Sequence, residues 1–162
     1  MQGCSQRLTL HVRTLAWLSA TLKPSTPSKK SSRSEEPPLT RRQKLAEEGR
    51  THDVPDAGPA AYLLEYLWDF GPAEHNGMGL VPIGYSQISA WQQVTGLRLS
   101  PWESATLRQL SCSYCAELAT ATDPMAAAPG SANETPEQAA ERRDRVSGAL
   151  SSMLRRRAKR RR

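Results

Sequence analysis

The chain has 162 residues, enough for one domain of ordinary size, and 38% of them are apolar. Its net charge of +6 is unevenly distributed: residues 1–50 carry +6, residues 51–136 carry −7 and residues 137–162 carry +7. No apolar stretch approaches the roughly 20 residues that span a membrane, and three cysteines at these spacings indicate no disulfide framework. The composition excludes a membrane-spanning protein and predicts a small cytoplasmic protein with an acidic middle between two basic arms.

The first basic arm, residues 1–50, is predicted to be mostly disordered with short helices. Residues 21–39 contain four prolines among Ser, Lys and Thr, and too few apolar side chains to offset the entropy of ordering the backbone. An amphipathic helix over residues 8–22 precedes this linker. A short helix over residues 41–48 follows it, because Thr40 and Gln43 have capping-box spacing and Gly49 suits the position after the helix end.

The acidic middle, residues 51–123, is predicted to form a small three-helix module. Its first helix opens after Pro59 and ends at Gly71-Pro72, and one face carries apolar side chains at i, i+3, i+4 and i+7: Leu63, Tyr66, Leu67 and Phe70. Tyr62 and Trp68 lie outside that face, so the helix is apolar nearly all round. Such a helix is either central in the fold or in contact with a partner.

Two further helices complete the predicted module. The second begins near Ser86 and stops at Gly96, with Ile88, Trp91 and Val94 as its buried stripe. The third begins at Ser100-Pro101-Trp102-Glu103, where Ser caps, Pro occupies the first turn and Glu bonds back to the cap. Its apolar face is predicted to consist of Leu107, Leu110, Tyr114, Leu118 and Ala121.

An Ala/Pro/Gly linker over residues 124–134 leads to a predicted basic amphipathic helix over residues 135–162. The fold class is therefore all-α. The last helix ends in a run of seven positive charges: Arg155, Arg156, Arg157, Lys159, Arg160, Arg161 and Arg162. This run supports an alternative function, nucleic-acid binding through phosphate contacts, although no aromatic side chain lies among the arginines to stack on bases.

No catalytic constellation is visible, and the chain is predicted to be neither an enzyme nor a holder of a metal or cofactor. Cys112-Ser-Tyr-Cys115 has the spacing of a redox motif or half a zinc site. It falls in the middle of a predicted helix, and no second cysteine pair completes a set of four ligands. Two small half-buried side chains are the simpler interpretation, and a thiol or zinc site is the alternative.

The aromatic side chains are the most informative group, since most of them fall within about 65 residues of the acidic middle. A small helical core needs large side chains, so these residues serve either the core alone or the core together with a partner-binding groove. The candidate partner-binding residues are Tyr62, Tyr66, Trp68, Phe70, Trp91, Trp102 and Tyr114.

Three segments of the middle carry a family resemblance: Tyr66-Leu-Trp-Asp-Phe70, Pro82-Ile-Gly-Tyr-Ser-Gln-Ile88 and Leu99-Ser-Pro-Trp-Glu103. In this order, with a Gly-rich break after the first, they resemble the tail assembly chaperones of tailed bacteriophages and prophages, over about residues 58–122. The resemblance implies a non-enzymatic protein of the bacterial host cytoplasm, absent from the mature virion. It also implies two partners, the tape-measure protein, which the chaperone keeps soluble, and the tail-tube subunits that it helps to recruit.

The chain departs from the family pattern at three places. Ser111 and Cys112 stand in the third helix where an acidic residue is expected before the aromatic one. The Ser/Pro/Lys-rich leader over residues 1–40 and the Arg-rich end are not features of the family. An upstream start codon would account for the leader, so residues 1–40 are expected to contribute little to function.

Overall fold

A computed structural model describes residues 2–23 and 38–130, and this part of the chain is mostly helical, as predicted. Its elements are, in order, α1 (Gln2–Ser19), α2 (Arg41–Glu47), α3 (Tyr62–Phe70), β1 (Glu74–His75), β2 (Leu80–Val81), α4 (Tyr85–Thr95) and α5 (Pro101–Thr120). None of the helices in these two ranges is long and apolar enough to cross a membrane. The predicted C-terminal helix over residues 135–162 lies outside the described residues.

The larger of two apolar clusters joins α1, α3 and α5 and is closed by Ile83 and by Ile88 of α4. Its apolar side chains recur at helical spacing on each element, so each helix buries one face. The completely buried members from the three helices are Leu8, Val12, Leu63, Leu67, Leu107 and Leu110. The position of α5 in the middle of this cluster makes it the helix around which the others pack.

Helix α1 differs from the prediction that residues 1–50 are mostly disordered, because it is an 18-residue helix that supplies side chains to the core. Leu8 and Val12 lie in the main cluster and Ala16 is equally buried, because their four-residue spacing places them on one face. The polar residues that interrupt the apolar run find partners elsewhere. Arg13 Nε donates to Glu117 Oε2 of α5 at 2.8 Å, and His11 Nδ1 lies 2.6 Å from a backbone carbonyl oxygen.

One hydroxyl group of α5 hydrogen-bonds to both ends of the connection between α3 and α4. Ser111 Oγ donates to the carbonyl oxygen of Pro72 at 2.7 Å and accepts from the backbone N–H of Ile83 at 2.9 Å. Between these two points, β1 and β2 form a short antiparallel hairpin in which Glu74 pairs with Val81. The fully buried Ser111 therefore satisfies a backbone donor and a backbone acceptor that burial would otherwise leave unpaired.

The predicted capping boxes at the starts of α2 and α5 are both confirmed. Thr40 Oγ1 accepts from the Gln43 backbone N–H, and the Gln43 side chain accepts from the Thr40 backbone N–H at 2.8 Å. In α5, Glu103 Oε2 accepts from the Ser100 backbone N–H at 2.7 Å. Gly96 ends α4 with φ of 72°, a left-handed conformation that glycine adopts without the steric cost of a side chain.

A second cluster, called here the Arg41 corner, closes the C-terminal end of α5. It consists of Trp17, Leu18, Ala20 and Ala121, with the Arg41 guanidinium 4.4 Å from the centre of the Trp17 ring. Arg41 donates to the carbonyl oxygens of Ala121 (2.8 Å), Asp123 (2.7 Å) and Pro124 (3.2 Å). These bonds supply donors to carbonyls at and beyond the end of α5, a place where helices leave such groups unpaired.

Three details differ from the sequence predictions. Val94, assigned to the buried stripe of the second helix, is 88% exposed. Of that stripe, Ile88 is the fully buried member. Helix α3 begins at Tyr62, since residues 59–61 form a turn. The core extends outside residues 51–123, because α1 supplies part of it. Of the predicted 124–134 linker, residues 124–130 are described and form turns and irregular structure.

Candidate partner-binding site

Helix α3 divides the predicted aromatic residues between the interior and the surface. Tyr66 and Phe70 pack against the main cluster, and both rings contact Trp91 of α4, with centroid distances of 5.1 and 5.5 Å. The Trp91 indole N–H donates to Asp69 Oδ2 at 2.6 Å, which satisfies its polar atom. These three side chains serve chiefly to join α3 to α4.

Tyr62 and Trp68 are the exposed aromatic residues of α3, each 40% exposed, although the Tyr62 ring also contacts the Tyr66 ring one turn along, with centroids 5.7 Å apart. Trp68 contacts Tyr114 of α5 edge to face, with centroids 5.6 Å apart. The Tyr62 hydroxyl donates to Glu103 Oε1 of α5 at 2.7 Å. Each ring is thus held by one contact with α5 while much of its surface stays accessible, an arrangement suited to binding an apolar partner without large loss of side-chain entropy.

Carboxylates surround these two rings. Glu65 and Asp69 are exposed on α3, and Glu65 lies one helical turn from both Tyr62 and Trp68. The four residues Tyr62, Glu65, Trp68 and Asp69 are called here the α3 surface. Because its aromatic rings alternate with negative charge, the α3 surface complements an apolar helix that is flanked by basic residues.

The hydrogen bond between Tyr62 and Glu103 changes the ionisation of both groups. Accepting from the phenol lowers the pKa of Glu103, with the Ser100 hydrogen bonds acting in the same direction. The same bond is the largest cause that raises the pKa of Tyr62 to about 12, followed by desolvation. Both groups remain accessible to solvent, so the bond positions the Tyr62 ring more than it stabilises the fold.

The two remaining aromatic candidates are only partly available. Trp102 and Tyr114 of α5 are half-buried and pack against the main cluster. Desolvation raises the pKa of Tyr114, as expected of a phenol in an apolar setting. Of the seven predicted partner-binding residues, Tyr62 and Trp68 are therefore the two exposed ones, and the other five are half-buried.

The structure gives no support to a reactive thiol site at Cys112 and Cys115. Both lie in the middle of α5, half-buried, and all three cysteines are free thiols. Burial, followed by the neighbouring Cys112, raises the pKa of Cys115, the opposite of what a reactive thiolate requires. Within residues 2–23 and 38–130, no three His, Cys, Asp or Glu side chains come together as metal ligands.

The other predicted functional feature is the basic run at the C-terminal end. The basic run from Arg155 to Arg162 lies outside the described residues, so nucleic-acid binding stays a prediction from the sequence.

Sequence reasoning also missed the second role of Glu103, which was predicted only as a capping residue. Its partner Tyr62 is 41 positions away, and no local pattern signals a contact over that separation.

The chain was compared with protein-family models, with curated proteins and with solved structures, and none of the three comparisons finds a match.

Proposed function

We propose that the protein is a non-enzymatic phage tail assembly chaperone that binds the tape-measure protein and keeps it soluble during tail assembly. The observation that carries the proposal is the exposure of Tyr62 and Trp68 beside carboxylates, while neighbouring aromatic residues pack inside. The sequence resemblance supplies the identity of the partner. In this proposal the protein acts in the host cytoplasm, also recruits tail-tube subunits, and is absent from the mature virion.

The physical role of the α3 surface is to cover apolar stripes on a long helical partner. A tape-measure protein contains extended helices, and an apolar stripe left exposed on such a helix promotes aggregation. Tyr62 and Trp68 would lie on that stripe, as in the binding of an amphipathic helix to an aromatic surface. Glu65 would pair with basic residues that flank the stripe. The predicted helix over residues 135–162 is not needed for this contact.

The test is co-expression with a tape-measure protein, which this proposal expects to be encoded beside the chain. The intact chaperone is expected to raise the soluble yield of that protein several-fold and to purify with it. The double variant Tyr62→Ala/Trp68→Ala is expected to lose most of this effect, because the largest exposed rings of the α3 surface are gone. Circular dichroism of the isolated variant checks that its helices persist.

A matched control removes two exposed apolar side chains from α4 instead. Tyr85 is 56% exposed and Val94 is 88% exposed, so the variant Tyr85→Ala/Val94→Ala loses comparable apolar surface outside the α3 surface. We expect this control to solubilise the tape-measure protein as the unaltered chain does. Equal loss in both double variants, or no effect of the unaltered chain, would contradict the proposal.

A further inference from the structure

A groove beside α2 is a second candidate site, separate from the α3 surface. Its apolar floor is formed by Leu18, Leu45 and Val54, and its rim carries Arg42, Arg50 and His52. Leu18 is buried, whereas Leu45 and Val54 are half-buried and pack against the Arg41 corner. The His52 ring lies 5.0 Å from the ring of Trp17, which fixes one wall. These six residues define the α2 groove.

The size of the α2 groove limits what it can hold. Its volume of about 270 Å³ is slightly below the range of roughly 300–1,000 Å³ found for small-molecule sites. It is open on one side, and its floor is apolar. Such a groove accommodates one or two apolar side chains of another polypeptide better than it encloses a whole cofactor.

The basic residues on the rim of the α2 groove indicate the charge of the partner that it binds. Among the described residues, none makes an ion pair or hydrogen bond with the exposed Arg42 side chain. Within residues 2–23 and 38–130, Arg50 pairs with Glu48 alone, at 2.9 Å, and an exposed ion pair of this kind is a weak contact. A carboxylate from a partner can pair with Arg42 and replace this weak contact of Arg50. The rim is therefore complementary to acidic residues.

We propose that the α2 groove binds an acidic, apolar segment of a second protein, with an apolar side chain on the floor and carboxylates paired with Arg42 and Arg50. The α3 surface has the opposite charge, so the two sites select different segments. This proposal goes beyond the chaperone function and does not depend on it. A chain with both sites can hold two polypeptides together.

The test uses three fluorescent twelve-residue peptides with the same Leu-Phe centre and with flanking residues of Glu, Gln or Lys. Their binding to the full chain is measured by fluorescence anisotropy at low and moderate salt. We expect the Glu peptide to bind at least tenfold more tightly than the Gln peptide, and to weaken as salt screens the charges. Backbone NMR signals of Leu45 and His52 are expected to shift on binding.

Variants then separate the α2 groove from other basic parts of the chain. Arg42→Glu is expected to weaken binding of the Glu peptide at least tenfold. Arg98→Glu, the same charge change at an exposed arginine outside the groove, is expected to leave it unchanged. Measurements are repeated on a full-length chain whose basic residues at 155–162 are replaced by Gln, because that run also attracts acidic peptides.

Several outcomes would overturn the proposal. One is equal binding of the Glu and Lys peptides, and another is the absence of binding to the chain with the neutralised end. A third is an equal effect of Arg42→Glu and Arg98→Glu. Circular dichroism of each variant establishes that the helices are intact, so that a loss of binding is attributable to the lost charge.

Discussion

The two ends of α5 are stabilised in different ways. At the N-terminal end, Ser100 and Glu103 form a capping box from residues of the helix itself. At the C-terminal end, the side chain of Arg41 reaches the carbonyl oxygen of Ala121 from 80 positions away, and the Trp17 indole donates to that of Ala126 at 3.1 Å from 109 positions away. A helix start can therefore be closed locally, whereas this helix end is closed by tertiary structure.

The largest expected effect is at the C-terminal end. Arg41→Met keeps an unbranched apolar stem but removes the donors to three carbonyl oxygens and the cation over Trp17. Hydrogen bonds to a charged group contribute roughly 1.5–3 kcal/mol each, and some of the freed carbonyls regain water, so we expect a loss of about 3 kcal/mol. Urea unfolding measures it as a lower midpoint with an unchanged slope.

The neighbouring arginine provides the control for this variant. Arg42 is exposed and outside both apolar clusters, so Arg42→Met is expected to change the free energy of unfolding by no more than about 0.5 kcal/mol. Arg41→Lys retains the charge but not the planar fork and is expected to fall between the two. Equal stability of the two methionine variants would show that Arg41 does not close the helix.

A smaller effect is expected at the N-terminal end. Ser100→Ala removes the side-chain acceptor that binds the Glu103 backbone N–H at 3.3 Å. Loss of such a cap costs about 1 kcal/mol, measured by the same unfolding experiment. Ser100→Asn, which keeps a capping oxygen, is expected to be nearly neutral. If alanine and asparagine were equally destabilising, the capping bond would not be the cause.

The smallest effect concerns the contact of Tyr62 with Glu103 and depends on pH. The pKa of Tyr62 is raised from 10.0 to about 12, so its contribution is complete below pH 10 and is lost as the pH rises through 12. The pKa of Glu103 is lowered, so its contribution is present above its ordinary value of 4.5 and is lost as the pH falls through the lowered pKa.

The variant Tyr62→Phe tests the expected loss of this contribution at both high and low pH. The unaltered chain is expected to be slightly more stable than the variant near neutral pH, and the difference is expected to vanish at both extremes. Unfolding curves over a pH series measure this difference. Spectroscopic titration of the phenols checks the assignment, since one high-pKa phenol should be missing from the variant. A stability difference independent of pH would contradict the contact.

The features that the sequence predicted are local ones. The capping boxes at Thr40 and Ser100, the stop at Gly96 and the apolar faces of α3 and α5 are determined by residues a few positions apart. The roles of Arg41 and Ser111 could not be predicted, because their partners lie 28 to 83 positions away, from Ser111–Ile83 to Arg41–Pro124. An isolated arginine or serine has no pattern that reveals such a partner.

For the candidate site, too, the sequence predicted local features and missed those that depend on long-range contacts. Tyr62 and Trp68 are both exposed, as their predicted position outside the apolar face of α3 implies, but Tyr62 lies one turn before Tyr66 and contacts that ring of the apolar face. The inclusion of Val94 in a buried stripe was wrong, because periodicity shows which residues share a face and not how far along the helix that face stays covered. The α2 groove was missed, since α1, α2 and residues 50–54 meet only in the folded chain.

The pairing of α1 with α5 also determines when the protein can complete its fold during synthesis. Arg13 and Glu117 are 104 positions apart, so α1 leaves the ribosome long before its partner helix. At roughly 5–20 residues per second, the delay is on the order of 5–20 s. Throughout that interval, Leu8 and Val12 have no α5 to cover them. The nascent chain is therefore most exposed to misassociation in the interval between the synthesis of α1 and the synthesis of α5.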